Sequence, residues 1–132
     1  MPLIWNDSLL TGISIIDSQH KELFRRINEL LDFNNKSKET ITETVRFLQS
    51  YVINHFGTEE RLMNKTNYPE YLIHKNAHGK YTQEFNALKD RIEREGIGVS
   101  ISVQMNHLLI DWWINHINKV DKKMAEFIRD KI

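Results

Sequence analysis

The 132-residue chain is 40% apolar and 27% charged, with 18 Lys plus Arg, 18 Asp plus Glu and no cysteine. That length fits one domain, 1–132, with enough interior to fold without staples, and no run approaches the roughly 18 apolar residues of a membrane span. Zero net charge without a long basic run argues against nucleic acid. The missing cysteines exclude disulfides, thiolate metal sites, iron–sulfur clusters and a cysteine nucleophile, so any metal must be held by nitrogen and oxygen. Residues Met1 to Asp7 have neither a basic n-region nor an apolar h-region, and cytoplasmic localisation is the expectation.

Residues 1–16 carry Trp5, Leu9, Leu10 and Gly12 but no sustained helical period, and are expected to lie as an arm along a helical bundle. Asp17 has the short carboxylate of an N-cap for a first helix reaching about Asn34, and 34–37 reads as the first turn. Thr40 with Glu43 suits a capping box opening a second helix to about Asn64. Pro69 fits the first turn of a third helix, where its missing N–H is not needed, and that helix ends before Gly96-Ile97-Gly98. A fourth starts near Ser100. The expectation is an all-α, antiparallel up-down-up-down four-helix bundle with the N-terminal arm and a short C-terminal helix.

The seams of these helices carry an anomaly. Apolar residues recur in steps of three and four, as in Ile16, Leu23, Ile27, Leu30 and in Ile41, Val45, Leu48, Val52, Leu62. Five of the six histidines stand within such seams: His20, His55, His74, His78 and His116. Glu59 joins them one turn after His55. The i,i+4 pairs His55/Glu59 and His74/His78 stack on one face of their helices and can reach a common centre. A single core histidine is more often merely satisfied, but five with a carboxylate would need five separate buried partners, and one metal centre serves them all. Tyr71, Tyr81, Phe85 and Met105 read as ordinary core. His107 lies nine residues before His116, about 180° away on an ideal helix, and is expected at the surface; Glu60, a full 100° from Glu59, is expected in solvent. Asp121, five residues after His116, would sit about 140° away and can join only if the helix ends, kinks or carries a π-bulge between Ile117 and Val120. Gly57 and Gly79, inside helices, cost about 1 kcal/mol each relative to alanine.

His20, His55-Phe56-Gly57-Thr58-Glu59, His74-Lys75-Asn76-Ala77-His78 and the run from His116 to Asp121 together resemble the hemerythrin family in its single-domain bacterial branch. Ile16-Asp17-Ser18-Gln19-His20, Tyr68-Pro69 and Trp112 add to the likeness, which covers essentially the whole chain. Myohemerythrin, a member of that family, is a known up-and-down bundle, so fold and family are not independent readings. The resemblance implies two iron ions, one on His74, His78 and His116 and the other on His20 and His55. Glu59, Asp121 and an oxo or hydroxo group would bridge them, and dioxygen would be the ligand. Counted as ligands, five imidazoles, two bridging carboxylates and one bridging oxygen leave two octahedral metals one position short, on the metal with two histidines. Such a donor set also accepts manganese, zinc or cobalt; iron comes from the resemblance.

The implied function is reversible dioxygen binding for storage, delivery or scavenging, not enzymatic catalysis. Oxygen transport of this kind names an oxygen-consuming enzyme as a further partner. Carboxylate-rich di-iron enzymes use Glu-x-x-His pairs, and this sequence has none. A di-iron enzyme (peroxide or nitric-oxide reduction, ferroxidase) stays open as the alternative, with an oxygen or redox sensor as a third. Trp112, Trp113 and Ile117 flank His116 and are expected to border the oxygen pocket. Position 113 is Trp where most relatives are expected to carry leucine, and two readings stand: a wall of the pocket, or plain core packing.

Overall fold

A computed structural model describes residues 2–132 as four long helices joined by short turns, with no strand among them. Helix α1 spans Ser14–Leu31, α2 Lys38–Lys65 and α3 Tyr71–Glu95. The fourth helix begins as Val99–Asn106 and runs on through a π turn at His107–Asp111, Trp112–His116, a second π turn at Ile117–Asp121 and Lys122–Ile128. Its last segment and a 3-10 turn at Arg129–Lys131 form the C-terminal piece. Short connections make sequence neighbours antiparallel: α1 packs along α2, α2 along α3, and α3 along the start of the fourth helix.

The caps differ from the sequence expectation in three places. Asp17 is not an N-cap; Ile13 holds that position, and the Asp17 carboxylate reaches back from the first turn to accept from Thr11 N (2.7 Å), Thr11 Oγ1 (2.8 Å) and Gly12 N (3.1 Å). It ties the arm to α1, with each bond contributing about 1 kcal/mol. Asn28 does the same further along, exchanging hydrogen bonds of 2.7 and 2.9 Å with the Leu3 backbone. At α2 the cap is Ser37, whose Oγ accepts from Thr40 N at 3.1 Å, so Thr40 is the third residue inside the helix and not its cap. Pro69 lies in the turn before α3, which Glu70 caps, and Asn67 takes a left-handed conformation (φ 56°) to reverse the chain.

The fourth helix has a buried stripe in steps of four: Ile101, Met105, Leu109, Trp113, Ile117, Asp121 and Ala125. On an α-helix those six steps would drift around the axis by about 240°. Each π turn takes up one extra residue, about 100° of rotation, so the two keep the stripe facing inward. The second π turn lies where Asp121 requires it. The first was not foreseen, and it makes Trp113, not Trp112, the inward residue of its turn.

Two apolar clusters divide the interior. A large one gathers Leu23, Ile27, Leu48, Val52, Phe85 and Leu109 among others. The smaller holds Ile13, Ile16, Met63, Tyr68, Met124, Ala125 and Ile128. On each helix the histidine and carboxylate positions fall between residues of these clusters, so the polar layer is closed at both ends by apolar plugs.

Candidate metal centre

Each helix delivers its share to one level of the bundle. His20 comes from α1, His55 and Glu59 from α2, His74 and His78 from α3, and His116 and Asp121 from the fourth helix; all seven are buried. His116 and Asp121 are one π turn apart. The Lys122 N–H bonds to the Ile117 carbonyl five residues back, and that i to i+5 winding stacks residues 116 and 121 as an α-helix stacks i and i+4.

The seven side chains form two groups that share both carboxylates: Glu59, His74, His78, His116 and Asp121; and His20, His55, Glu59 and Asp121. Within each group the donor atoms lie within 4.8 Å of one another. The carboxylates divide oxygen by oxygen. Glu59 Oε2 faces His55 Nε2 (3.1 Å) and His20 Nε2 (3.5 Å), while Oε1 faces His78 Nε2 (3.2 Å) and His74 Nε2 (3.3 Å). Asp121 Oδ2 faces His20 Nε2 (3.1 Å), while Oδ1 faces His74 Nε2 (3.1 Å) and His116 Nε2 (3.2 Å). Despite these approaches, all five Nε2 atoms and all four carboxylate oxygens lack a well-directed hydrogen bond. Buried polar atoms converging without partners are what a cation-binding cluster requires, since each would otherwise cost a few kcal/mol.

Without metal, protons take the cation's place. Burial lowers the pKa of His20 and of His74, but Asp121 and Glu59 outweigh it and raise each to about 9. Burial likewise works to raise the pKa of Glu59, yet charge on His55 and contacts from His20, His55 and His74 hold it well below the ordinary carboxylate range. Asp121 is pushed up by burial and by Glu59, and its pKa is still lowered by His116 and His20.

The outer edges of the rings are held unequally. His55 Nδ1–H donates to Gln19 Oε1 at 2.8 Å, and Gln19 is oriented by its amide donating to Thr58 Oγ1 at 3.2 Å. His78 Nδ1–H donates to Glu60 Oε2 at 2.9 Å. Glu60 is therefore not simply in solvent, because the inter-helix distance brings α3 within reach of its side chain. Its signal in the sequence is a second acid directly after Glu59. Phe56 stacks on His78 (centroids 3.8 Å, 7° between planes) and Trp112 on His116 (4.3 Å, 12°).

Of the residues expected at the oxygen pocket, Trp113 and Ile117 are fully buried, with the Trp113 ring 6.1 Å from that of His55. Trp113 Nε1–H donates to Tyr81 Oη at 2.9 Å, a partner the sequence does not reveal. Trp112 is only half-buried and lines a surface groove with Lys80, His107, Asp111 and His116. His107 is exposed, as expected, but the first π turn unwinds the 180° offset and puts it on the same groove as His116. Gly57 and Gly79 line a second groove beside His78; a Cβ at Gly79 would meet nothing within 4 Å, so crowding does not explain it.

Residues 11–128 match the family model of the hemerythrin HHE cation binding domain. The chain is 32% identical to a bacteriohemerythrin of Pseudomonas aeruginosa, over 98% of this chain and 88% of the relative. It is 33% identical to a hemerythrin-like protein of Naegleria gruberi, over 92% and 90% of the two chains. The crystal structure of a wild-type hemerythrin superposes with a TM-score of 0.82 at 28% identity, covering 96% of this chain and 97% of that one. With the buried histidine and carboxylate cluster in place and a match that spans nearly its full length, the chain belongs to the hemerythrin family.

Proposed function

We propose that residues 1–132 form a single hemerythrin-like domain that binds dioxygen reversibly at a non-haem di-iron centre. His74, His78 and His116 hold one iron, His20 and His55 the other, and Glu59 and Asp121 bridge the pair with an oxo or hydroxo group. The observation that carries this reading is the division of both carboxylates, one oxygen toward each histidine group, with no hydrogen bond competing for it. When bound, the iron pair supplies the electrons that reversible oxygen capture requires.

The chain's own residues set the conditions. Glu59 and Asp121 fix the spacing of the two sites, and the apolar plugs above and below keep water out, which strengthens every charge interaction between them. Trp113 lies beside His55 and walls the two-histidine side, and Ile117 belongs to the same buried apolar cluster. Tyr81 is committed to Trp113, and burial raises its pKa, so it stays protonated and is no base. Glu60 is engaged by His78 as Tyr81 is by Trp113, so neither is free to serve turnover, and binding is favoured over catalysis. Storage, delivery to an oxygen-consuming enzyme, or scavenging in the cytoplasm all fit this pocket. No helix among the described residues is long and apolar enough to cross a membrane.

The test is the optical spectrum of the reduced, iron-loaded protein, first anaerobic and then in air. A visible band that appears with oxygen and vanishes on deoxygenation supports the reading. Steady consumption of peroxide or nitric oxide with a reductant would replace it with the enzyme alternative. A stable single zinc in protein made with ample iron would overturn the di-iron assignment.

A further inference from the structure

One turn of α2 encloses a single ring of α3. Phe56, Glu59 and Glu60 stand at i, i+3 and i+4, the spacing that puts three side chains on one helical face. Phe56 covers the flat of His78. Glu59 Oε1 faces its Nε2 at 3.2 Å, and Glu60 Oε2 takes its Nδ1–H at 2.9 Å. Among the other imidazoles in the cluster none has a charged outer partner: His55 uses the neutral amide of Gln19, and Nδ1 of His20 and of His74 is buried without any partner.

We infer that Glu60 is a positioning residue for the metal centre: it locks His78 with its proton on Nδ1 and its lone pair on Nε2, and makes that ring the strongest neutral donor of the five. The inference rests on the metal assignment above. An anionic acceptor on the far nitrogen draws the ring toward imidazolate character, which raises its basicity and stabilises the more highly charged metal. Only the three-histidine metal receives this help. The two sites are thereby made electronically unequal by a residue that touches neither of them.

The open groove lined by Gly57, Gly79 and Lys75 bears on the same pair. It leaves the Glu60 carboxylate partly hydrated, with about a quarter of its side chain exposed, so the pair does not bear the full cost of burial.

The experiment compares the full-length wild type with Glu60→Gln and Glu60→Ala. Glu60→Gln keeps an acceptor without the charge; Glu60→Ala removes both. Zinc(II) affinity by chelator competition, the midpoint potential of the iron-loaded protein, and the His78 Nδ1–H proton resonance of the zinc-loaded protein are read alongside metal content and melting temperature. Glu60→Ala should weaken the tighter zinc site by about 10–100-fold and lose the slowly exchanging His78 proton. Glu60→Gln should weaken it less and keep that proton. Both should shift the potential positive, with the melting temperature of the metal-free protein nearly unchanged. Affinity, potential and proton signal equal to wild type in both variants would overturn the inference. If the wild type itself failed to take up a metal pair, the functional reading would fall, while the His78 proton in the metal-free chain would still decide whether Glu60 holds the ring.

Discussion

The half of the centre around His20 and His55 is walled by neutral and apolar groups, whereas the half around His74, His78 and His116 is braced by a charge and by flat rings. His20 is fully enclosed with its Nδ1 unpartnered, His55 leans on an amide, and Trp113 closes the side. Across the centre, Glu60 holds His78, while Phe56 and Trp112 lie flat on His78 and His116. Rigid, polar support falls on the three-histidine half, where the proposed centre would have no open position. The side with one ligand fewer is left dry and non-polar, which suits entry of a small neutral molecule. The three-to-two division of histidines implied by the family resemblance is thus matched by a difference in their surroundings.

The largest break would come from Glu59→Ala, which removes a group shared by both halves. Wild-type protein should contain two irons per chain and the variant should lose the pair, as read by metal analysis; one iron retained at full occupancy would mean the halves are independent.

Metal uptake should depend steeply on pH, and the proton count sharpens the comparison because His20 belongs to one half and His74 lies in the other. Both are raised to about 9 without metal, so at neutral pH each must release a proton before binding. Apparent affinity should therefore climb with pH, approaching a hundredfold per unit for two protons, and level off above about 9. In the metal-free protein the sign for stability is opposite at the alkaline end. The raised histidines contribute fully below about 6.5 and lose that contribution through about 9, while the lowered Glu59 and Asp121 lose theirs as pH falls below the ordinary carboxylate range. Titration calorimetry in buffers of different ionisation enthalpy counts the protons directly.

Gln19→Ala should loosen the His20/His55 half alone, by about tenfold in metal retention, since a neutral partner of His55 is lost. Stepwise chelation would show whether one metal now leaves first.

Trp113→Leu opens the dry wall and strands the Tyr81 hydroxyl. We expect a loss of roughly 2–4 kcal/mol in stability, with faster oxygen entry and exit. Unchanged rates by stopped flow would assign Trp113 to packing alone. The smallest effect should come from His107→Ala, within about 0.5 kcal/mol and with iron content intact, because this side chain lines only the outer groove.

The bundle was legible because helical periodicity depends on local spacing: seams, short turns and the two i,i+4 pairs can be read without knowing any neighbour. Asp121 was the informative exception. Lying 140° out of phase with His116, it could join the cluster only through a local change of winding, and the π turn at Ile117–Asp121 is that change. Helix starts were read less well: the Asp17 carboxylate is taken by the Thr11–Gly12 arm, a tertiary contact, and at α2 Ser37 holds the cap three residues before Thr40.

What the sequence by itself determined is which residues share a face on the first three helices, since 3.6 residues per turn is a property of the α-helical backbone. Which residue of one helix meets the back of a ring on the next depends on the distance and rotation between their axes, and only the packed structure decided that. Glu60 behind His78, Gln19 behind His55 and Tyr81 on Trp113 are all contacts of this kind. The first π turn belongs with them. It has no local signature like Asp121, and its cause is the tertiary demand that a stripe running from Ile101 to Ala125 in steps of four stay against the core.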